Sequence, residues 1–267
     1  MSITVYQEPV KDFSLEASRG NIPGISTINK FGRNIEIDSG VTADIWDGGH
    51  TVASGGVSLI WVAPTQARTH TIASTDANDT SGGTGARTVR IHGLTSWSAS
   101  EATEDVTMNT GSPPVTSSSY VIIHRMQVLT KGATDVNIGT ITATATGDGT
   151  VTAQIRPSQG QTQMAIYGIP STQKLFISDI YGIANKAAGA AGLIDMSLLV
   201  NPEPDTELTN FVTKHTFGLQ TVGTSAYNET FNPQKVISGP AIIKISGTSG
   251  TNNMDVDAGF DAFIVDN

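Results

Sequence analysis

Short runs of β-branched and apolar residues recur along this chain at intervals too small for helices, each closed by Gly, Pro, Asn or Asp. In one stretch, Gly139–Thr146 (GTITATAT) leads into Gly147-Asp148-Gly149 and then Thr150–Ile155 (TVTAQI). Alternation on both sides of an Asp-Gly turn predicts a hairpin, because the turn's backbone twist matches that of the strands it joins. Tyr120–Leu129 (YVIIHRMQVL) is the longest strand candidate, and its set Tyr120, Ile122, His124, Met126 and Val128 is the expected core face. Val57–Val62, Arg68–Ser74, Ala86–Leu94, Met164–Tyr167, Lys174–Tyr181, Asp195–Val200, Ala241–Ser246 and Phe260–Val265 read as further strands. A series of roughly a dozen short strands predicts an all-β fold, an antiparallel β-sandwich of jelly-roll-like type. Helix is scarce: Ala184–Ala191 is alanine-rich, but Gly182, Gly189 and Gly192 weaken it, so it reads as a link between strands. Pro204–Lys214 is compatible with a short helix or a loop entering a strand.

Composition supports the same class. Charged residues are only 15% of the chain, against about a quarter in an ordinary soluble domain. Gly (28 residues) and abundant Ser and Thr fill the gap, which suits half-exposed strands and tight turns. Disorder does not fit, because Val, Ile, Leu and Phe recur throughout. Fifteen Lys and Arg against 24 Asp and Glu give a net charge of −9, a poor balance for gripping nucleic-acid phosphates. The absence of Cys excludes disulfides, thiolate metal sites and Cys nucleophiles. Met1–Lys11 has no apolar core of a secretory signal, and no apolar run reaches the roughly 18 residues of a membrane span, so no membrane partner is expected.

Residues 1–45 read as an N-terminal arm with one short strand around Ile35 and Ile37. Gly20, Pro23 and Gly24 within Glu16–Ser26 disfavour regular structure there. Ile22, Pro23, Ile25, Ile28 and Phe31 are poorly suited to a permanently solvated tail, so they are the expected contacts to a neighbouring subunit. Residues 46–267 are expected to form the β-sandwich, with a division into two sub-domains open near 131–138.

The sequence carries no recognisable catalytic or metal-binding motif. The histidines His50, His70, His92, His124 and His215 make no short-range ligand pair, so no metal is expected, and His124 reads as a structural core histidine. Asp76-Ala77-Asn78-Asp79 begins like a calcium loop, but the sixth and twelfth positions hold Ser81 and Arg87. Ser81–Gly85 (SGGTG) lacks the Lys and the following helix of a phosphate loop. No G-x-S-x-G elbow occurs. Glu101, Glu104 and Asp105 (EATED) are the densest acidic cluster and read as solvated loop charges before a strand at Val106–Met108. A non-enzymatic protein without cofactor is the expectation.

An ordered series of pieces does carry a resemblance. Lys30–Asn34 (KFGRN), Asp44–Gly49 (DIWDGG), Ala77–Thr80 (ANDT), Gly83–Leu94 (GTGARTVRIHGL), Ser100–Asn109 (SEATEDVTMN) and Gln161–Pro170 (QTQMAIYGIP) together resemble virion structural proteins of tailed bacteriophages. The resemblance runs from about residue 30 to 200 and carries no catalytic residues with it. It implies a virion component made in the host cytoplasm. A head decoration (cement) protein on the capsid surface fits by size and acidity, and implies a homotrimer with the major capsid protein as partner. The Ile22–Phe31 segment would then dock on that shell. A head- or tail-fibre module recognising host glycan is the alternative.

Overall fold

The computed structural model describes residues 12–46, 59–186, 191–221 and 224–267. One short helix, α1 (Phe13–Ser18), is capped by Asp12, whose carboxylate accepts the Leu15 N–H at 2.9 Å. Everything else regular is strand: β1 (Ile25–Ile37), β2 (Thr42–Asp44), β3 (His70–Ser74), β4 (Ala86–Leu94), β5 (Ala102–Thr107), β6 (Ile122–Lys131), β7 (Ile141–Ala145) and β8 (Val151–Ile155). Then follow β9 (Ile166–Ile169), β10 (Gln173–Lys186), β11 (Gly192–Asn201), β12 (Val212–Thr221), β13 (Thr224–Ser238), β14 (Ala241–Ser249) and β15 (Met254–Asp266). The protein is all-β and its sheets are antiparallel, as the turn-punctuated sequence predicts.

Among the described residues, four sheets enclose two hydrophobic cores. The order β1-β15-β10-β13 faces β12-β11-β14-β2 across the first core, where Leu175, Ile180, Met196, Leu198, Ile243 and Phe260 meet. The sheets β3-β7-β8 and β5-β4-β6 enclose the second, around Trp61, Ile72, Ile91, Tyr120, Met126 and Ile141. The wall between them is β14 with its partner β9. Ile243 and Tyr167 point into the first core, while their neighbours Ile242 and Ile166 point into the second. Opposite faces of one strand are both buried here, so Ala241–Ile245 carries no water-facing alternation.

Residues between β2 and β9 supply most of the second core, and Ile166 and Ile242 of the wall complete it. The stretch 131–138, where the sequence left a division open, joins β6 to β7 inside the second core. There Gly132 N–H bonds to Gly85 O at 2.8 Å, and buried Asn137 donates to Gly139 O and Arg156 O, both at 2.8 Å.

The N-terminal arm is the main departure from expectation. Residues 25–37 are not an extended arm but a 13-residue strand, hydrogen-bonded to β15 from Ile25↔Val265 to Ile37↔Met254. Its partner lies more than two hundred residues away in sequence, so no local pattern announces it. Of the other candidates, Leu59–Val62 forms bends rather than a strand, and Val57 and Ser58 lie outside the described residues. Ala184–Lys186 extends β10, residues 187–190 of the expected link lie outside the described residues, and Pro204–Phe211 is a loop leading into β12.

Candidate functional site: a charged cleft between the cores

Strand β1 alternates, and the residues it turns inward are unusual. Lys30, Gly32 and Asn34 are buried while Phe31 and Arg33 are exposed. Gly32 faces the Ile45 carbonyl and Ala165 amide so closely that any side chain would overlap them. Asn34 donates to Asp44 O at 2.6 Å and accepts the Trp46 N–H at 3.2 Å. Lys30 reaches the second core and donates from Nζ to the His124 carbonyl at 2.6 Å. Three polar or absent side chains on a buried strand face mark a junction, not a core stripe.

Across from Lys30 lies the acidic cluster, and here the solvated-loop reading is corrected. Glu104 and Asp105 belong to β5, and Glu101 sits at its entrance. Register places Arg90 opposite Asp105, and the two form a bidentate pair at 2.6 and 2.8 Å. Glu104 accepts the backbone N–H groups of Ser117 at 2.6 Å and Ser118 at 3.1 Å, and the Tyr120 hydroxyl at 3.3 Å, locking the turn before β6. Glu101 is clamped between His92 Nδ1 at 3.0 Å and His124 Nε2 at 2.7 Å. An ionised carboxylate only accepts, so both imidazoles present N–H to it. Sequence spacing hid this set, because β4, β5 and β6 assemble it from three strands.

Burial alone would push the Glu101 carboxyl up, but hydrogen bonds from His124 and His92 outweigh it and hold the group well below the usual carboxylate range. Burial lowers the His124 imidazole despite its carboxylate partner. Lys30 is lowered from 10.5 to about 7, first by burial and then by the neighbouring Arg125 guanidinium. Burial also raises the Tyr167 phenol, with Glu101 adding to it. The Tyr167 ring packs on His124 with centroids 4.5 Å apart.

These groups line a cleft of about 450 Å³ between β1 and the β4–β6 sheet. His92 and His124 spend one nitrogen each on different oxygens of the same carboxylate, and no group of three or more metal-ligating side chains converges among the described residues. Of the expected contact residues, Ile28 and Phe31 line the cleft, Ile28 also packing on the first core, while Ile25 pairs with Val265. Ile22 lies apart beside Phe13, and Pro23 is exposed. Lys30, Arg125 and Tyr167 were not singled out by sequence. Alternation gave no signal for Lys30, because Phe31, Ile35 and Ile37 share the opposite parity of the run. His50 lies outside the described residues.

No family model matches the chain, and no curated protein does. Among solved structures, it is similar to a chain of the infectious bursal disease virus Gt strain, at 10% identity over 91% of this chain and 71% of that one, with a TM-score of 0.21. The VP2 subviral particle of infectious bursal disease virus matches at 11% identity over the same shares, with a TM-score of 0.20. No helix among the described residues is long and apolar enough to cross a membrane.

Proposed function

We propose that this protein is a non-enzymatic structural component of a tailed-phage virion, a decoration (cement) protein bound as a homotrimer to the major capsid protein on the head surface. The observation that carries the reading is the placement of the phage-like sequence series on the all-β frame. Lys30, Gly32 and Asn34 make the junction between cores, and buried Asp44 pairs with Lys244 at 2.6 Å. Buried Asp79 collects the N–H groups of Ala86, Ile138 and Gly139 and the Ser74 hydroxyl. Residues of the series therefore serve as fasteners, which is what a protein that reinforces a shell needs. The acids that an enzyme would use are committed in the same way, to imidazoles, turn amides and Arg90.

A fibre module that binds glycan is the second reading. It is favoured by a separate cleft where the half-buried Trp97 ring lies beside Gln66, Asp205 and Glu207, a combination of stacking face and hydrogen-bonding groups that suits a sugar. Quantitative mass spectrometry of purified particles separates the two. Copies commensurate with the shell lattice, and binding of the purified protein to expanded capsids, are expected for decoration. Copies matching the tail, with no capsid binding, would replace it by the fibre reading.

A further inference from the structure

We infer that the cleft between β1 and the β4–β6 sheet is a binding site for a small organic oxyanion, a carboxylate or phosphate ester, held by Lys30 and Arg125. The site is independent of the virion role. Lys30 is 7% exposed, yet its ammonium has one acceptor, the His124 carbonyl, and forms no ion pair with a described residue. Three protons on the ammonium leave donors unspent. Beside it, Arg125 gives Nη2 to the side-chain oxygens of Gln127 at 3.2 Å and Gln161 at 3.0 Å, both neutral, and it too lacks an ion pair among the described residues. A buried cation such as Lys30 is ordinarily paired, and the half-buried Arg125 beside it repels it.

The lining contains one carboxylate, Glu101, and two imidazoles already occupy both its oxygens. Its charge also acts on Lys30, which leaves two cations facing one carboxylate. The site thus has a surplus of cationic donors facing an opening of the size small molecules occupy. Ile28, Phe31 and Ile264 make part of the wall apolar, which suits the carbon body of an organic anion better than a bare ion.

Binding should follow pH. The titratable and charged groups facing Lys30 are Arg125 and His124 from β6, His92 from β4, Glu101 at the entrance to β5 and Tyr167 from β9. Glu101 stays ionised and Tyr167 protonated near neutrality, so the Lys30 amine dominates and must be protonated to hold the anion. Lowering pH from about 8.5 to about 6 should tighten binding of an anion that stays fully ionised across that range by up to roughly 30-fold, the change in protonated fraction of an amine titrating at about 7.

The test is calorimetry and NMR on the full chain with citrate and inorganic phosphate as probes. Saturable binding at about pH 6 is expected, with citrate tighter than phosphate and chemical-shift changes centred on Lys30 and Arg125. Lys30→Met and Arg125→Gln should each weaken citrate by about tenfold or more, as loss of a charge-assisted hydrogen bond does. Lys235→Met, which changes a lysine over Phe231 outside the cleft, should leave it unchanged. Should Lys30→Met not fold, Arg125→Gln and the wild-type shift map still decide. Absence of saturable binding by the wild type, or equal binding by Arg125→Gln, would overturn the inference.

Discussion

The two cores are built on different economies of backbone. The first is closed by long strands: β1, β10, β13 and β15 run 13, 14, 15 and 13 residues, and they hold one another by long ladders, each with one register shift. The second has short elements, with β3, β7 and β8 only five residues each, and its loops are held by buried polar side chains. Asp79 and Asn137 are both fully buried and bind backbone of loops far away in sequence. Long ladders satisfy backbone groups by repetition, whereas short strands leave loop amides that need individual acceptors. The first core also ends in a long edge, β13. Opposite Ser178, residues Phe231–Gln234 bulge between the pairs Asp179↔Thr230 and Ile177↔Lys235, and Pro233 lacks an N–H, so the edge is a poor template for a further strand.

This contrast can be broken most severely at the shared wall. Lys244→Met leaves Asp44 buried without its cation, its Oδ1 having no partner even in the native protein. A loss of about 3–5 kcal/mol is expected in urea unfolding, because an unpaired buried charge is left behind. Signals from Trp61 in the second core and from hydrogen exchange of β10 in the first should fall together. If only one core loosens, the wall does not couple them.

Asp79→Ala should act within the second core alone. Buried N–H groups of Ala86, Ile138 and Gly139 lose their acceptor, which costs about 1–3 kcal/mol. Hydrogen exchange should rise in β4 and β7 while β10 and β15 keep their protection.

Acid should also distinguish the cores. His70 is fully buried, and burial lowers it from 6.5 to about 4 against the opposing pull of the Arg68 backbone and Asp148. Below pH 6.5 the unfolded chain takes a proton that the folded one refuses, so stability present above 6.5 is lost as pH falls toward about 4. His124, also lowered by burial, acts in the same direction. Glu101 has a depressed carboxyl, so its contribution is present above its ordinary 4.5 and declines below it. Unfolding curves at successive pH values should show the second core weakening first, and His70→Phe should flatten the segment between 6.5 and about 4. An unchanged slope in that variant would remove His70 as the cause.

The smallest effect is expected at Arg90–Asp105, well made but solvent-exposed. Arg90→Gln should leave the melting temperature within error, since exposed pairs pay side-chain entropy and are screened by water. A clear drop there would mean that β5 depends on its cross-strand charges.

The sequence by itself determined what is local. The hairpin across Gly147-Asp148-Gly149 is β7 and β8, Ala86–Leu94 is β4 to the residue, and the even set from Tyr120 to Val128 is buried. Alternation and turn chemistry act over a few residues, so a single stretch displays them. Only the tertiary structure decided the rest. Ile25–Ile37 became a strand because β15 lies alongside it, a partner found at the other end of the chain. Glu101 became the centre of a clamp because β4 and β6 bring His92 and His124 to its two oxygens, and Lys30 became a buried cation because β1 turns it toward His124. A charge in a strand and a charge in a solvated loop are the same letter, and what separates them is the strand that arrives from elsewhere.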